Sequence, residues 1–274
     1  MKFHLNRKSR ERIEGFDSLR EQAGAEAEKQ KAEPLSFAVC GLTDVGKVRR
    51  TNQDSLVMED SLAGVADGMG GHLGGETASS LCRDTLCAFL RGKTPDKETL
   101  VQGVNRANAA VFERSESDSS VRGMGTTLCV MWIGKERLYV AHVGDSRCYR
   151  FAAGELTQVT KDHSMVMEMV RAGIIKREDA ASHPMRNVIT RAVGTDPEVD
   201  ADILDFPLVK DDLWLLCSDG LHGMVSDEDM AAILAGEGDI EEKARKLLDA
   251  ALEGGGHDNV SVVLVSVTGG EAAK

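Results

Sequence analysis

Aspartates stand at the edges of apolar runs throughout this 274-residue chain, and their placement carries the clearest chemical signal. Asp67 closes Gly64-Val65-Ala66 and opens the turn Asp67-Gly68-Met69-Gly70-Gly71-His72. Asp145 follows Ala141-His142-Val143-Gly144, and Asp219 follows the run from Leu213 to Ser218. Asp258 begins Asp258-Asn259-Val260-Ser261-Val262, and Asp54 ends Arg49-Arg50-Thr51-Asn52-Gln53-Asp54. A carboxylate at the end of an apolar strand is costly unless its charge is compensated. If these strand ends converge on one edge, their oxygens form a site suited to hard cations such as Mg²⁺ or Mn²⁺. The cysteine and histidine spacing typical of zinc is absent. Each aspartate taken singly also reads as an ordinary turn residue, and spacing alone leaves both readings open. The glycine-rich run from Asp67 to Gly75 reads a second way, as a phosphate loop ahead of a helix. It lacks the lysine of the GxxxxGK[ST] loop.

Elements able to position these carboxylates are legible in the hydrophobic pattern. Strands are expected at Leu35–Leu42, Ser55–Met58, Leu62–Ala66, Thr126–Ile133, Arg137–Val143, Arg147–Phe151, Asp212–Cys217 and Val260–Val267, each apolar and bounded by Gly, Asp or Asn. Tight connections such as Gly134-Lys135-Glu136 and Ala153-Gly154 imply antiparallel pairing. Helical periodicity marks Glu76–Arg91, Lys97–Arg114, Met165–Ala172, Asp227–Ala235 and Ile240–Leu252. Together they predict an α+β layered fold with one contiguous core.

Composition narrows the function. Hydrophobic residues make up 42% of the chain, and the net charge is -12. So acidic a protein argues against general nucleic-acid binding. If it handles a phosphate anion, it needs a local source of positive charge, which bound cations can supply. The segment 1–34 is charged and nearly balanced, with 8 Lys+Arg against 7 Asp+Glu, and reads as a flexible or helical extension. The main domain is expected over 35–268, followed by a short tail, 269–274. Six cysteines lie mostly in apolar runs, as expected of free thiols in a reducing compartment. No signal-peptide core and no membrane-spanning run is evident, so a cytoplasmic protein without membrane association is expected.

The motifs then resemble, in order, those of the PPM/PP2C family of metal-dependent protein phosphatases, bacterial members in particular. They are Thr43-Asp44-Val45-Gly46-Lys47-Val48-Arg49, Asn52-Gln53-Asp54, Val65 to His72, Gly123-Met124-Gly125-Thr126-Thr127, Val143-Gly144-Asp145-Ser146-Arg147, Thr160-Lys161-Asp162-His163, Cys217-Ser218-Asp219-Gly220-Leu221 and Gly255 to Val260. The resemblance implies an αββα sandwich of two antiparallel sheets flanked by helices. It implies that Asp67 bridges two Mn²⁺ or Mg²⁺ ions, with the Gly68 carbonyl on one of them. Asp219 and Asp258 would ligate the other, Asp54 would act through water, and Asp145 with Asp219 would match a third-ion position. Arg49 matches the arginine that holds the substrate phosphate, and His72 the proposed general acid. The implied reaction is hydrolysis of phosphoserine and phosphothreonine in proteins, with in-line attack by a metal-activated water. The implied partners are phosphoprotein substrates of a serine/threonine kinase, and a monomer suffices. Gln53 stands where many members carry Glu, so an acidic role there falls to Asp54. Residues 164–192 match a flap beside the active site whose Lys176, Arg177, His183 and Arg186 give it a partly basic face. A pseudophosphatase would be expected to lack members of this ligand set; a small phosphorylated metabolite is the alternative substrate.

Overall fold

The computed structural model describes residues 35–71 and 73–269. The chain opens with β1 (Leu35–Asp44), β2 (Asp54–Glu59) and β3 (Leu62–Met69), followed by helices α1 (Gly74–Leu90) and α2 (Lys97–Ser117). A run of strands follows: β4 (Gly125–Thr126), β5 (Leu128–Ile133), β6 (Arg137–Val143), β7 (Arg147–Ala152) and β8 (Glu155–Gln158). Next come α3 (Met165–Arg171), a 3-10 turn over Arg177–Ser182, β9 (Asp202–Pro207) and β10 (Leu213–Cys217). The chain then forms α4 (Asp219–His222), α5 (Asp227–Ala235), α6 (Ile240–Glu253) and β11 (Val260–Gly269). One sheet has the order β1-β11-β10-β7-β8 and the other β2-β3-β5-β6-β9, with β4 beside β3; every pairing is antiparallel.

Period-two alternation decides which side chain enters which layer. In β10, Trp214 and Leu216 face the other sheet, packing with Val65, Met131, Val140 and Val263. Leu213, Leu215 and Cys217 face outward onto Leu234, Leu247 and Leu248 of α5 and α6. β5 divides likewise: Cys129 and Met131 point between the sheets, while Val130 and Trp132 pack with Leu86 and Val104 of α1 and α2. The apolar interior is therefore three layers, where the sequence pattern predicted one contiguous core. Both faces of each sheet are buried, so each sheet separates two packing layers. Side-chain caps begin α2, α5 and α6: Asp96 accepts from Thr99 N, Ser226 from Asp229 N and Asp239 from Glu242 N.

Two strands are additional to the predicted set, β8 and β9, and both lie at sheet edges. An edge strand needs less apolar alternation, and Pro207 is tolerated there. The predicted strand Thr126–Ile133 divides into β4 and β5 at Thr127: its amide keeps the ladder bond to the Asp67 carbonyl (2.8 Å), but the Asp67 amide donates to Thr127 Oγ1 (2.9 Å) in place of the reciprocal ladder bond. Among the described residues, no helix is long and apolar enough to cross a membrane.

Candidate metal centre

Antiparallel pairing brings the ends of β1, β3, β6 and β10 to the same end of the sandwich as the starts of β2, β5, β7 and β11. Asp54 and Asp67 are register partners across β2 and β3. Asp145 lies in the β6–β7 connection, Asp219 begins α4 directly after β10, and Asp258 precedes β11. Asp67 feels the charges of Asp54, Asp219, Asp145 and Asp258, so the fold gathers all of them into one cluster.

The cluster repels itself. Burial, then the charges of Asp54, Asp219, Asp145 and Asp258, push the Asp67 carboxyl well above the usual range. Burial and then Asp145, Asp258 and Asp54 push Asp219 up to about 7. Burial and Asp162 push Asp145 up to about 6. Asp54 is raised by burial, against the hydrogen bonds it accepts from Ser261 and Ser218. Those hydroxyls both donate to Asp54 Oδ2, at 2.7 and 2.8 Å. Among the described residues its Oδ1 has no hydrogen-bond partner, and neither has Asp219 Oδ1; both atoms are buried. Buried carboxylate oxygens without donors are what a bound cation satisfies. The all-oxygen donor set fits Mn²⁺ or Mg²⁺.

The surrounding chain holds these carboxylates in place. The Asp67 amide donates to Thr127 Oγ1 (2.9 Å), and the Asp67 carbonyl accepts from Thr126 Oγ1 (2.9 Å) and Thr127 N. A Cβ on Gly68 would lie 2.0 Å from the Gly75 carbonyl oxygen, so only glycine lets the start of α1 close against this turn. Asn259 ties the loops together: its Nδ2 donates to the carbonyls of Val45 and Thr51 (3.0 Å each), and its Oδ1 accepts from Gln53 N (2.8 Å). Arg49 is half-exposed and donates through Nη2 to Asp258 Oδ2 at 2.7 Å. His72 lies outside the described residues.

The residue patterns did not single out the supports. Ser218, Ser261, Thr127 and Asn259 position the carboxylates, although Ser218 and Asn259 adjoin Asp219 and Asp258 in sequence. Nor was a signal seen in His142 and His222, whose pKa values burial lowers to about 4 and about 3. The segment 163–190, within the expected flap 164–192 but for its first residue, is closed at its base by Met165 N to Val188 O and Thr190 N to His163 O, both 2.8 Å. Ile174, Met185 and Val188 are exposed on it.

Comparison with known proteins bears on this geometry. A family described as "Protein phosphatase 2C" matches residues 47–253. Over 228 residues the chain is 41% identical to the Serine/threonine protein phosphatase PstP of Mycobacterium tuberculosis, covering 82% of this chain but 44% of that relative's length. Over 234 residues it is 38% identical to the Serine/threonine phosphatase stp of Listeria welshimeri, covering 81% of this chain and 93% of the relative. Among solved structures, the catalytic domain of a phosphatase PstP in complex with two manganese ions superposes with a TM-score of 0.79 at 37% identity, covering 85% of this chain and 99% of that one.

Proposed function

The chain belongs to the protein phosphatase 2C family, and from that premise we propose that it is a metal-dependent protein serine/threonine phosphatase. The reaction is hydrolysis of phosphoserine and phosphothreonine monoesters by in-line attack of water. The observation that carries this reading is the pair of buried, unpartnered oxygens Asp54 Oδ1 and Asp219 Oδ1, set among aspartates that raise one another's pKa. External positive charge relieves that repulsion.

Asp67 and the Gly68 carbonyl, with Asp219 and Asp258, are the groups that would hold two core ions, Mn²⁺ or Mg²⁺. Asp54 would contribute through water, and Asp145 with Asp219 would hold a third ion. When bound, such ions supply Lewis acidity and bring the pKa of a water toward neutrality. Arg49 orients the substrate phosphate through its planar fork. Its present partner, Asp258, is a partly exposed carboxylate, and exposed pairs are weak, so exchanging that carboxylate for phosphate costs little. His72 donates the proton to the departing serine or threonine oxygen. Flap residues 173–190 would set peptide preference; exchanging them with another member's segment should change it, and an unchanged preference removes that role.

Substrates are phosphoproteins made by serine/threonine kinases, and the catalytic unit is a monomer. The six cysteines are all free and buried, as a reducing cytoplasm favours. The test is turnover of a phosphothreonine peptide with Mn²⁺, with Mg²⁺ and with EDTA, comparing the protein with Asp219→Ala. Activity that survives EDTA or the substitution overturns the reading.

A further inference from the structure

The loop carrying Asp145 is gripped by imidazoles at three successive residues. Gly144 N–H donates to His163 Nδ1 (3.1 Å). His222 Nε2 lies 3.1 Å from the Asp145 carbonyl oxygen, and His142 Nε2 lies 2.9 Å from that of Ser146. A carbonyl oxygen only accepts, so both Nε2 atoms carry protons and donate. The three rings come from different elements: His142 from β6, His163 from the segment after β8, and His222 from α4. Two of them touch, His142 and His163 having ring centroids 4.7 Å apart.

The tautomer of His163 is fixed from both sides. Its Nδ1 must stay unprotonated to accept from Gly144, so its Nε2 bears the proton, which faces Asp202 Oδ2 at 3.3 Å. Arg191, at the flap's exit, donates to the other Asp202 oxygen at 3.0 Å. The backbone amide of His163 also donates to the Gly144 carbonyl at 2.8 Å. Donor atoms of His142, His163 and Asp202 lie within 4.8 Å of one another, a spacing a cation could use. Both His163 nitrogens are already committed to Gly144 and Asp202, which makes the group a hydrogen-bonded support. Gly144 needs that support: its φ is +105°, and a Cβ there would lie 2.6 Å from Thr127 Cγ2. A glycine hinge alone would leave the direction of the next side chain free.

We propose that His163, His222 and His142 are positioning residues that clamp the Gly144-Asp145-Ser146 backbone and so aim the Asp145 carboxylate at Asp219, with Asp202 fixing the His163 tautomer. The proposal rests on the reading of Asp145 as a ligand of the third, weakest ion. It assigns a task to three histidines that the hydrolysis itself does not use.

The test is Mn²⁺ titration of the full chain by calorimetry, which resolves tight from weak ions without turnover. His163→Leu and His222→Leu should weaken the weak ion by about tenfold or more, the usual effect of losing a ligand's outer support, and leave the tight ions unchanged. His163→Asn keeps an acceptor near the Nδ1 position and His222→Gln keeps a donor near Nε2, so each should restore most of the affinity. Asp202→Asn, at a partly exposed residue, should match His163→Leu without opening the core, because the amide favours the opposite tautomer. Circular dichroism checks that each variant is folded. Asp145→Asn should itself lose the weak ion; if it keeps all ions, the ligand reading falls and the proposal with it. If Asp145→Asn loses the weak ion while folded Leu variants and Asp202→Asn keep it, the clamp alone is overturned. Equal weakening of tight and weak ions, or no rescue by Asn and Gln, also overturns it.

Discussion

Strand β10 has an aspartate with a buried carboxylate oxygen at each end, and the two are treated in opposite ways. Asp212, just before the strand, is held by Arg150, whose Nε donates to Oδ2 at 2.7 Å and Nη2 to Oδ1 at 2.9 Å; both side chains are almost fully buried. Among the described residues, Asp219, just after the strand, has no guanidinium partner and an unpartnered Oδ1, and its pKa is pushed up to about 7. Asp162 shows the paired solution again: burial works to raise its pKa, yet Arg147 holds it below the usual range. The protein therefore pairs buried carboxylates where they serve the fold. At the other end of β10 no described cation compensates the charge, which is the arrangement the proposed metal centre would need.

The sharpest way to break this contrast is to remove one aspartate from each end. Asp219→Ala should lower kcat/KM on a phosphothreonine peptide by about a thousandfold or more, the loss of several kcal/mol of transition-state stabilisation. The same change should leave the EDTA-treated protein at least as stable as before, because it removes a repelled charge. Asp212→Ala should do the reverse. It removes the carboxylate that pairs with a buried guanidinium and should cost about 3–5 kcal/mol in urea unfolding, while the protein that remains folded keeps its metal affinity. A large stability loss in Asp219→Ala, or none in Asp212→Ala, would reverse the assignment of the two ends.

Acidity provides a milder test. Asp67 and Asp219 have raised pKa values in the folded, metal-free chain, so folding binds their protons more tightly than the unfolded state does. The stability they contribute is present at low pH and is lost as pH rises through the folded values. His142 and His222 work oppositely below about pH 6.5, because they are neutral when folded and charge on unfolding. The clean window is therefore about pH 6.5 to 8. There the melting temperature in EDTA should fall with rising pH, and Asp219→Asn should flatten the fall. A rise across that window would contradict the cluster's electrostatics.

Arg49 gives the smallest effects. Arg49→Lys should raise KM for phosphopeptide by about tenfold, since a single ammonium replaces a bidentate fork. Its effect on urea unfolding should stay under about 1 kcal/mol, because the Arg49–Asp258 pair is largely solvated. A stability loss larger than the binding loss would recast Arg49 as a structural partner of Asp258.

The sequence alone determined the aspartates' setting, most of the strands and helices, and the ordered motifs that identify the family, because these depend on local pattern: apolar runs, turn residues and helical periodicity. It could not show the edge strands β8 and β9, whose alternation is weak, or the division of the core into three layers, which depends on which sheet faces which. Gly68 was legible as a glycine beside a turn, but the 2.0 Å approach to Gly75 that requires it is a tertiary fact. The pairing of Asp212 with Arg150, and the isolation of Asp219, likewise exist only once β7 lies beside β10. The same holds for Ser218 and Ser261 beneath Asp54, and for the three histidines around Asp145. Compensation of a buried charge depends on neighbours far away in the chain, so the sequence could mark which carboxylates were exceptional and only the packing could decide which were left unpaired.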